Sequence, residues 1–195
     1  MTDSPTNLLD ETGGAAAPAA TGLLARLDAL DQALSERCLI TPGGGARRAT
    51  MGTVRRISQT GSYGIGWIVV FAVVATWLEG PLVALVAAAC VVGTLFVNTA
   101  VKELVRRVRP EVRTFAHQPS SYSMPSAHTA MAVVGAGVMS VIAPQLALMW
   151  WAWAVILAGS RIVLGMHFVG DVLVGALFGA LLAWSVATPL IHAAM

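Results

Sequence analysis

Three short segments of the chain carry side chains that can handle a phosphate group. They are Lys102-x6-Arg109-Pro110, Pro125-Ser126-Ala127-His128 and Ser160-Arg161-x5-His167-x3-Asp171. Between them they supply three cations to hold a phosphate, two histidines and one carboxylate. One histidine can attack phosphorus while the carboxylate orients it, and the other can protonate a leaving group. Because the segments border very apolar runs, we expect the substrate to be a membrane lipid.

The first segment places two cations where an apolar run ends. Lys102 and Arg109 are seven residues apart, about two helical turns, so we expect both on one face of an emerging helix that Pro110 terminates. By itself this signal is weak, because basic residues at the end of a membrane span are often topology signals. We give the same interpretation to the other cations of this region, although any of them could touch a lipid head group: Arg106, Arg107 and Arg113.

The second segment opens another apolar run. Ser126 is predicted to be the N-cap of a helix, whose free N–H groups and positive dipole end form a natural phosphate seat. An ordinary cap would explain Ser126 equally well. It would not explain His128, although a packed, hydrogen-bonded histidine is also possible there.

The third segment is the most specific. His167 and Asp171 are four residues apart and would be neighbours on a helix, so Asp171 can orient one ring nitrogen and leave the other free to attack. The alternative is an ion pair that only joins two helices. That alternative is costly at a membrane edge, where charges lose their hydration.

The composition is that of a polytopic membrane protein. Of 195 residues, 56% are hydrophobic and 11% are charged, about half the usual charged share. The net charge is only +2, and Cys38 and Cys90 form neither a disulfide framework nor a metal spacing. The N-terminus lacks the pattern of a cleaved signal peptide.

Three regions are predicted along the chain. Residues 1–21 resemble a disordered tail, and residues 22–61 an amphipathic helix with a linker. Residues 62–195 form a transmembrane domain. The amphipathic helix carries Leu23, Leu27, Leu30 and Leu34 at helical spacing. It could pack on the protein or lie in the membrane interface, and we favour the interface because no soluble core is available to it.

Five apolar runs predict an all-α bundle of about five transmembrane helices. They are residues 62–78, 81–101, 127–143, 146–165 and 168–191. Gly175-x3-Gly179 in the last run is a close-packing pattern, which we expect to seat one helix of the bundle on another.

The distribution of basic residues predicts the orientation. With five spans, all twelve Lys and Arg fall on the side of the N-terminus, and the other side holds only Glu79 and His192. The positive-inside rule then places the N-terminus and the candidate site in the cytoplasm, with the protein in the inner membrane of the cell.

The three segments resemble the type-2 phosphatidic acid phosphatase (PAP2) superfamily, whose site is shared with vanadium-dependent haloperoxidases. The family pattern is K-x6-RP, PSGH and SR-x5-H-x3-D, and the one departure is Ala127 in place of the family's Gly. The resemblance covers residues 102–171 directly. Larger members have six spans, so five spans and an interfacial helix are a second departure.

The resemblance implies a role for each matching residue. Lys102, Arg109 and Arg161 would bind phosphate oxygens, with added hydrogen bonds from Ser126 and the Ala127 N–H. His167 would be the nucleophile that forms a phosphohistidine, and Asp171 would orient it. His128 would protonate the leaving group and activate water. No metal or other cofactor is implied.

The expected function is therefore metal-independent hydrolysis of a lipid phosphomonoester or pyrophosphate in phospholipid or polyprenyl-phosphate metabolism. Candidate substrates are decaprenylphosphoryl-5-phosphoribose, phosphatidylglycerol phosphate and phosphatidic acid. Alternatives are an undecaprenyl pyrophosphate phosphatase and a non-enzymatic phosphate-lipid binding or transport protein. Expected partners are the lipid and the bilayer, with no nucleic acid. His117 and Tyr122 could touch a head group but are more simply loop residues.

Overall fold

All regular structure in the described part of the chain is helical, which confirms the predicted class. The computed structural model describes residues 22–38, 45–110 and 121–195, except the side chains of residues 24 and 45–48. Its helices are α1 (Leu23–Cys38), α2 (Gly45–Thr60), α3 (Ser62–Glu79), α4 (Pro81–Val105), α5 (Ala127–Ile142), α6 (Pro144–Val163) and α7 (Val169–Ala194). The predicted tail at residues 1–21 lies outside the described residues, and so do Arg113 and His117.

The five apolar runs correspond to five helices of the bundle. By length and composition, α3, α4, α6 and α7 can each cross a membrane. The fifth, α5, is a shorter apolar helix of 16 residues. It is buried on almost every side, and Val134, Val138 and Met139 are fully enclosed. A helix that is apolar all round belongs at the centre of a bundle, so α5 is the axis on which the others pack.

An aromatic cluster fastens α3 and α6 to this axis. The ring of Trp67 lies 6.2 Å from that of Phe71 and 6.4 Å from that of Trp150. A Cβ atom on Gly135 of α5 would overlap the indole of Trp67. The indole therefore lies directly against the α5 backbone, and position 135 must lack a side chain.

The region between α1 and the bundle, which we predicted to be a linker, is largely the helix α2. Met51 of α2 packs with Leu164 and Met166 in a second, smaller apolar cluster, and Val54 lies beside them. A spacing of three residues brings Met51 and Val54 to one helix face. The face is short and flanked by arginines, which is why the sequence pattern did not reveal a helix.

The first cation pair does not share a helix, contrary to our expectation. Helix α4 ends at Val105, and Arg106 adopts a left-handed conformation with φ of 53°. Beyond it the chain is non-helical through Pro110. Proline disfavours the α conformation in the residue before it, so Arg109 is driven out of the helix. Arg109 therefore approaches the site from a loop, and Lys102 approaches it from the last turn of α4.

The glycine pair of α7 seats this helix against α5, as the sequence predicted. A Cβ on Gly175 would lie 2.7 Å from the backbone oxygen of Ser126, and one on Gly179 would lie 2.6 Å from that of Ala130. Backbone atoms cannot rotate away as a side chain can. Any side chain at these positions must therefore push α7 away from α5.

We expect Gly175→Ala to lower the midpoint of thermal unfolding in detergent by about 3–10 °C, since overpacking costs about 1–3 kcal/mol. Gly93→Ala in α4 is the matched control, because a Cβ there meets nothing within 4 Å. Differential scanning fluorimetry of both variants measures the difference. Equal midpoints for Gly175→Ala and the native protein would show that α7 can shift without cost.

Candidate active site

A cavity of about 410 Å³ lies at the end of the bundle where α4 and α6 end and α5 and α7 begin. Six of the eight residues that the sequence singled out line this cavity: Lys102, Arg109, Ala127, His128, Arg161 and His167. The other two, Ser126 and Asp171, are fully buried behind its wall. Residues far apart in sequence thus converge on one space that is large enough for a phosphate and part of its substituent.

The three predicted cations enter the cavity from different elements. The Lys102 Nζ atom donates to the Tyr122 backbone oxygen at 2.6 Å. Arg109 donates through Nε to the Ser121 backbone oxygen at 2.7 Å and through one terminal nitrogen to the Met166 backbone oxygen at 2.8 Å. These bonds hold the charged groups in place before any ligand arrives, as electrostatic stabilisation of a transition state requires.

Arg161 is anchored by the helix that the sequence did not reveal. One of its terminal nitrogens donates to the Ser58 hydroxyl of α2 at 2.6 Å. Its Nε is buried and has no hydrogen-bond partner among the described residues. Because Arg161 lines the cavity, this nitrogen is available to a ligand oxygen. Ser58 also lines the cavity, and the sequence analysis missed it because no motif marks it.

The start of α5 is open to a ligand. Ser126 occupies the N-cap position as predicted, but its side chain makes no hydrogen bond to the helix backbone. Its hydroxyl instead accepts a hydrogen bond from Thr129 at 3.1 Å. The first N–H groups of a helix have no partner within it, so that of Ala127 remains available at the cavity wall. A direct bond from the Ser126 hydroxyl to phosphate stays a prediction, because this side chain does not line the cavity.

His167 and Asp171 are adjacent, although they do not share a helical turn. Helix α7 begins at Val169, and His167 lies in the turn before it. The Nδ1 atom of His167 lies 3.5 Å from Oδ2 of Asp171, longer than a good hydrogen bond. The same Oδ2 accepts the Phe168 N–H at 3.0 Å. Asp171 therefore caps its own helix, and its carboxylate lies next to the His167 ring.

The other ring nitrogen of His167 faces the cations. Its Nε2 lies 3.3 Å from a terminal nitrogen of Arg109. Burial of the ring lowers the pKa of His167 to about 4. Asp171 opposes this effect, while Arg109 adds to it. The ring is therefore neutral at physiological pH, and a neutral imidazole is the form that can attack as a nucleophile.

We expect the His167 ring to remain neutral far below the usual range for histidine. With a pKa of about 4, about one-tenth of the rings would be protonated at pH 5, against about 97% for an ordinary histidine. The ¹⁵N shifts of the ring in detergent, followed from pH 7 to pH 4, measure this. His167→Asn assigns the resonance, and a midpoint near 6.5 would contradict the expectation.

The second histidine faces the cavity from the first turn of α5. The Nε2 atom of His128 lies 3.4 Å from the hydroxyl of Ser62, at the start of α3. His128 and His167 both line the cavity, together with the three cations. A phosphate held by the cations would therefore have one imidazole available to attack it and a second available for proton transfer.

Arg107 also contacts the site, although the sequence analysis grouped it with topology signals and head-group contacts. It donates to Asp171 Oδ1 at 2.9 Å and to two carboxylates of α1, Asp28 at 2.6 Å and Asp31 at 2.8 Å. Its guanidinium also lies 4.4 Å from the ring centre of Phe168. The partners are up to 79 residues away in sequence, so no local pattern could have identified them.

Comparison with known proteins identifies the family of the chain. The sequence model of the PAP2 superfamily matches residues 81–191. The decaprenylphosphoryl-5-phosphoribose phosphatase of Mycobacterium tuberculosis, strains H37Rv and CDC 1551, is 32% identical over 154 residues, which cover 69% of this chain and 77% of the relative.

Among solved structures, the chain is similar to a transmembrane PAP2-type phosphatidylglycerolphosphate phosphatase from Bacillus subtilis. The TM-score is 0.71 at 24% sequence identity, and the match covers 86% of this chain and 87% of the other. This likeness supports the fold. Taken with the family match over more than half of the sequence and the curated relative, it shows that the chain belongs to the PAP2 superfamily and is a membrane phosphatase.

Proposed function

We propose that this phosphatase hydrolyses the phosphomonoester of a membrane lipid through a phosphohistidine at His167. The observation that carries the proposal is the position of His167. Its Nε2 faces the cavity beside Arg109, and its Nδ1 faces Asp171. One nitrogen is thus exposed to a bound phosphate, while the other is placed to be stabilised when the ring becomes cationic.

In the first step, Nε2 of His167 attacks phosphorus and the bond from phosphorus to the lipid oxygen breaks. His128 donates a proton to that oxygen, so the lipid alcohol leaves neutral. Lys102, Arg109 and Arg161 neutralise the charge that develops on the phosphoryl oxygens. The phosphorylated ring retains its Nδ1 proton, and the carboxylate of Asp171 stabilises its positive charge.

In the second step, His128 accepts a proton from water, and the resulting hydroxide attacks the phosphohistidine. The bond between phosphorus and Nε2 breaks, and inorganic phosphate departs. His167 is returned to its neutral form, and the proton on His128 is available for the next lipid. The cycle uses only side chains of this cavity, so we expect turnover to continue in the presence of EDTA.

The wall beside His128 supports a substrate with a polar group next to the phosphate. Arg55, Gln59 and Ser62 line the same cavity, and Ser62 is within 3.4 Å of His128. His128 marks the leaving-group side in the proposed mechanism. A leaving group in contact with this wall would bind more tightly if it carried hydroxyl groups or a negative charge. Diacylglycerol, the leaving group of phosphatidic acid, offers less of both.

We therefore place decaprenylphosphoryl-5-phosphoribose first among the substrates, followed by phosphatidylglycerol phosphate and then phosphatidic acid. The M. tuberculosis relative carries the name of a phosphatase for the first of these lipids. The leaving group of the first two has hydroxyl groups and a phosphodiester. An undecaprenyl pyrophosphate substrate is the remaining alternative.

We also propose that the site faces the cytoplasm and that α1 lies in the membrane interface. Lys102, Arg109 and Arg161 converge at one end of the bundle, where most of the chain's basic residues lie. Along α1, Leu23, Leu27, Leu30 and Leu34 are 52% to 73% exposed and form one apolar stripe. Such a stripe next to a membrane domain suits the boundary between head groups and acyl chains.

The test is phosphate release by the purified protein from these four lipids, with and without EDTA. We expect EDTA-resistant release, with kcat/KM highest for decaprenylphosphoryl-5-phosphoribose. A preference for phosphatidic acid would overturn the ranking, and loss of release in EDTA would overturn the mechanism. Absence of release from every lipid by folded protein would overturn the lipid phosphatase itself.

A further inference from the structure

The N-terminal helix α1 is joined to the catalytic end of α7 by polar contacts. Asp31 accepts the Gly170 N–H at 2.7 Å, and the Ser35 hydroxyl accepts the Val169 N–H at 2.9 Å. With the bond from the Phe168 N–H to Asp171, three successive N–H groups at the start of α7 are satisfied. Two of the three acceptors come from α1, which lies outside the family match at residues 81–191.

The same helix holds the cation behind Asp171. One terminal nitrogen of Arg107 is shared between Asp31 and Asp171, and the other binds Asp28. The shared nitrogen is 2.8 Å from Asp31 and 2.9 Å from Asp171, so the two carboxylates compete for it on nearly equal terms. Asp171 is completely buried and cannot turn to solvent for another partner.

We propose that α1 is a clasp that positions Asp171 behind the nucleophile, with Asp31 and Arg107 as its positioning residues. The proposal rests on the proposed function of His167. Neither Asp31 nor Arg107 touches the reacting atoms. They act by fixing where the Asp171 carboxylate sits and how much of its charge is available to His167.

The charge balance explains why a cation next to Asp171 does not cancel its effect. Arg107 carries one positive charge, and the three carboxylates around it carry three negative charges, so the cluster retains a net negative charge. If α1 were absent, both terminal nitrogens of Arg107 could turn to Asp171 as a paired fork. Asp171 would then be neutralised and would stabilise a cationic His167 less well.

The geometry also predicts which kinetic constant responds. Among the described residues of α1, none lines the cavity that holds Lys102, Arg109 and Arg161. Loss of the clasp should therefore leave binding of the phosphate group unchanged. It should slow the step in which His167 becomes cationic, so kcat falls while KM does not.

The experiment compares Asp31→Asn with Glu36→Gln in the full-length purified protein. Asn retains an oxygen for the Gly170 N–H and removes the charged oxygen that accepts from Arg107 and draws it away from Asp171. Glu36 is an exposed acid of the same helix without a contact to Arg107, so Glu36→Gln is the control for loss of one charge.

For Asp31→Asn we expect kcat on the best lipid substrate to fall about 10- to 100-fold, the usual effect of losing an outer partner of a catalytic group. KM and the inhibition constant of inorganic phosphate should remain within about twofold of the native values, and Glu36→Gln should match the native protein throughout. An unchanged kcat in Asp31→Asn, or a raised KM with unchanged kcat, overturns the proposal.

A second variant keeps the test decisive if Asp31→Asn fails to fold. Asp28 is half exposed and caps no helix, so Asp28→Asn removes one carboxylate from Arg107 without disturbing α7. We expect a smaller fall in kcat, several-fold, and no change in KM; an unchanged kcat in this variant overturns the proposal. The native protein is measured in the same assay. If it does not hydrolyse the lipid, the proposed function fails; if it does and the variants match it, only the proposal about α1 fails.

Discussion

Replacement of His167 by alanine is expected to lower kcat for lipid phosphate hydrolysis by at least about 10⁴-fold, because loss of a nucleophile removes the whole covalent pathway. The ring is 2% exposed and its Nε2 faces Arg109, so it is well placed to attack a phosphate that the cations hold. Initial rates of phosphate release with saturating lipid, measured over hours for the variant, give the ratio.

His192→Ala provides the matched control for this prediction. His192 lies in the last turns of α7, far along the helix from His167, and its replacement should leave kcat unchanged. Thermal unfolding of both variants checks that the bundle is intact. A His167→Ala protein that is folded and retains more than a hundredth of native kcat would rule out a phosphohistidine at this position.

Asp171→Asn is expected to have the second largest effect, a fall in kcat of about 10²- to 10⁴-fold. In serine proteases, the corresponding change leaves the geometry intact but holds the histidine in the wrong tautomer, and it costs about 10⁴-fold. Asparagine can still accept the Phe168 N–H, so the start of α7 should survive. The lost charge is the one that faces Nδ1 of His167 at 3.5 Å.

Steady-state kinetics on the same lipid measure this effect, and Glu103→Gln is the control. Glu103 is an exposed acid near the end of α4, so its replacement makes the same change in net charge outside the site. KM should change little in either variant, because Asp171 is buried behind the cavity wall. A fall of less than tenfold in Asp171→Asn would mean that the charge of this carboxylate contributes little to catalysis.

The transmembrane helices and the three motifs were predictable because each depends on local sequence. Long apolar runs must cover their backbone polar groups by forming helices, and five runs became five helices of the bundle. The spacing of His167 and Asp171 also predicted their contact. The reason given for this contact, a shared helical turn, was incomplete. His167 lies in the turn before α7, and Asp171 lies in the first turn of the helix.

The parts that sequence reasoning missed depend on contacts between distant segments. Arg107 resembled a topology signal because its partners on α1 are 76 and 79 residues away. Ser58 lies 103 residues from Arg161, and its helix α2 has only a short apolar face. The sequence analysis placed Arg109 on the same helix as Lys102, whereas it lies in a loop. Pro110 disfavours the helical conformation of Arg109, and this effect outweighs the helical spacing of the two cations.

The contacts between α1 and α7 also have a consequence for folding of the chain during its synthesis and membrane insertion. Asp31 and Gly170 are 139 residues apart, so the first described helix to leave the ribosome must wait for the last one before its contacts can form. His167 and Asp171 are likewise synthesised only when the start of α7, the last helix, is made. A partly inserted chain can hold Lys102 and His128 but still lacks the proposed nucleophile. Under the proposed mechanism, nascent protein therefore cannot attack the lipids that surround it during insertion.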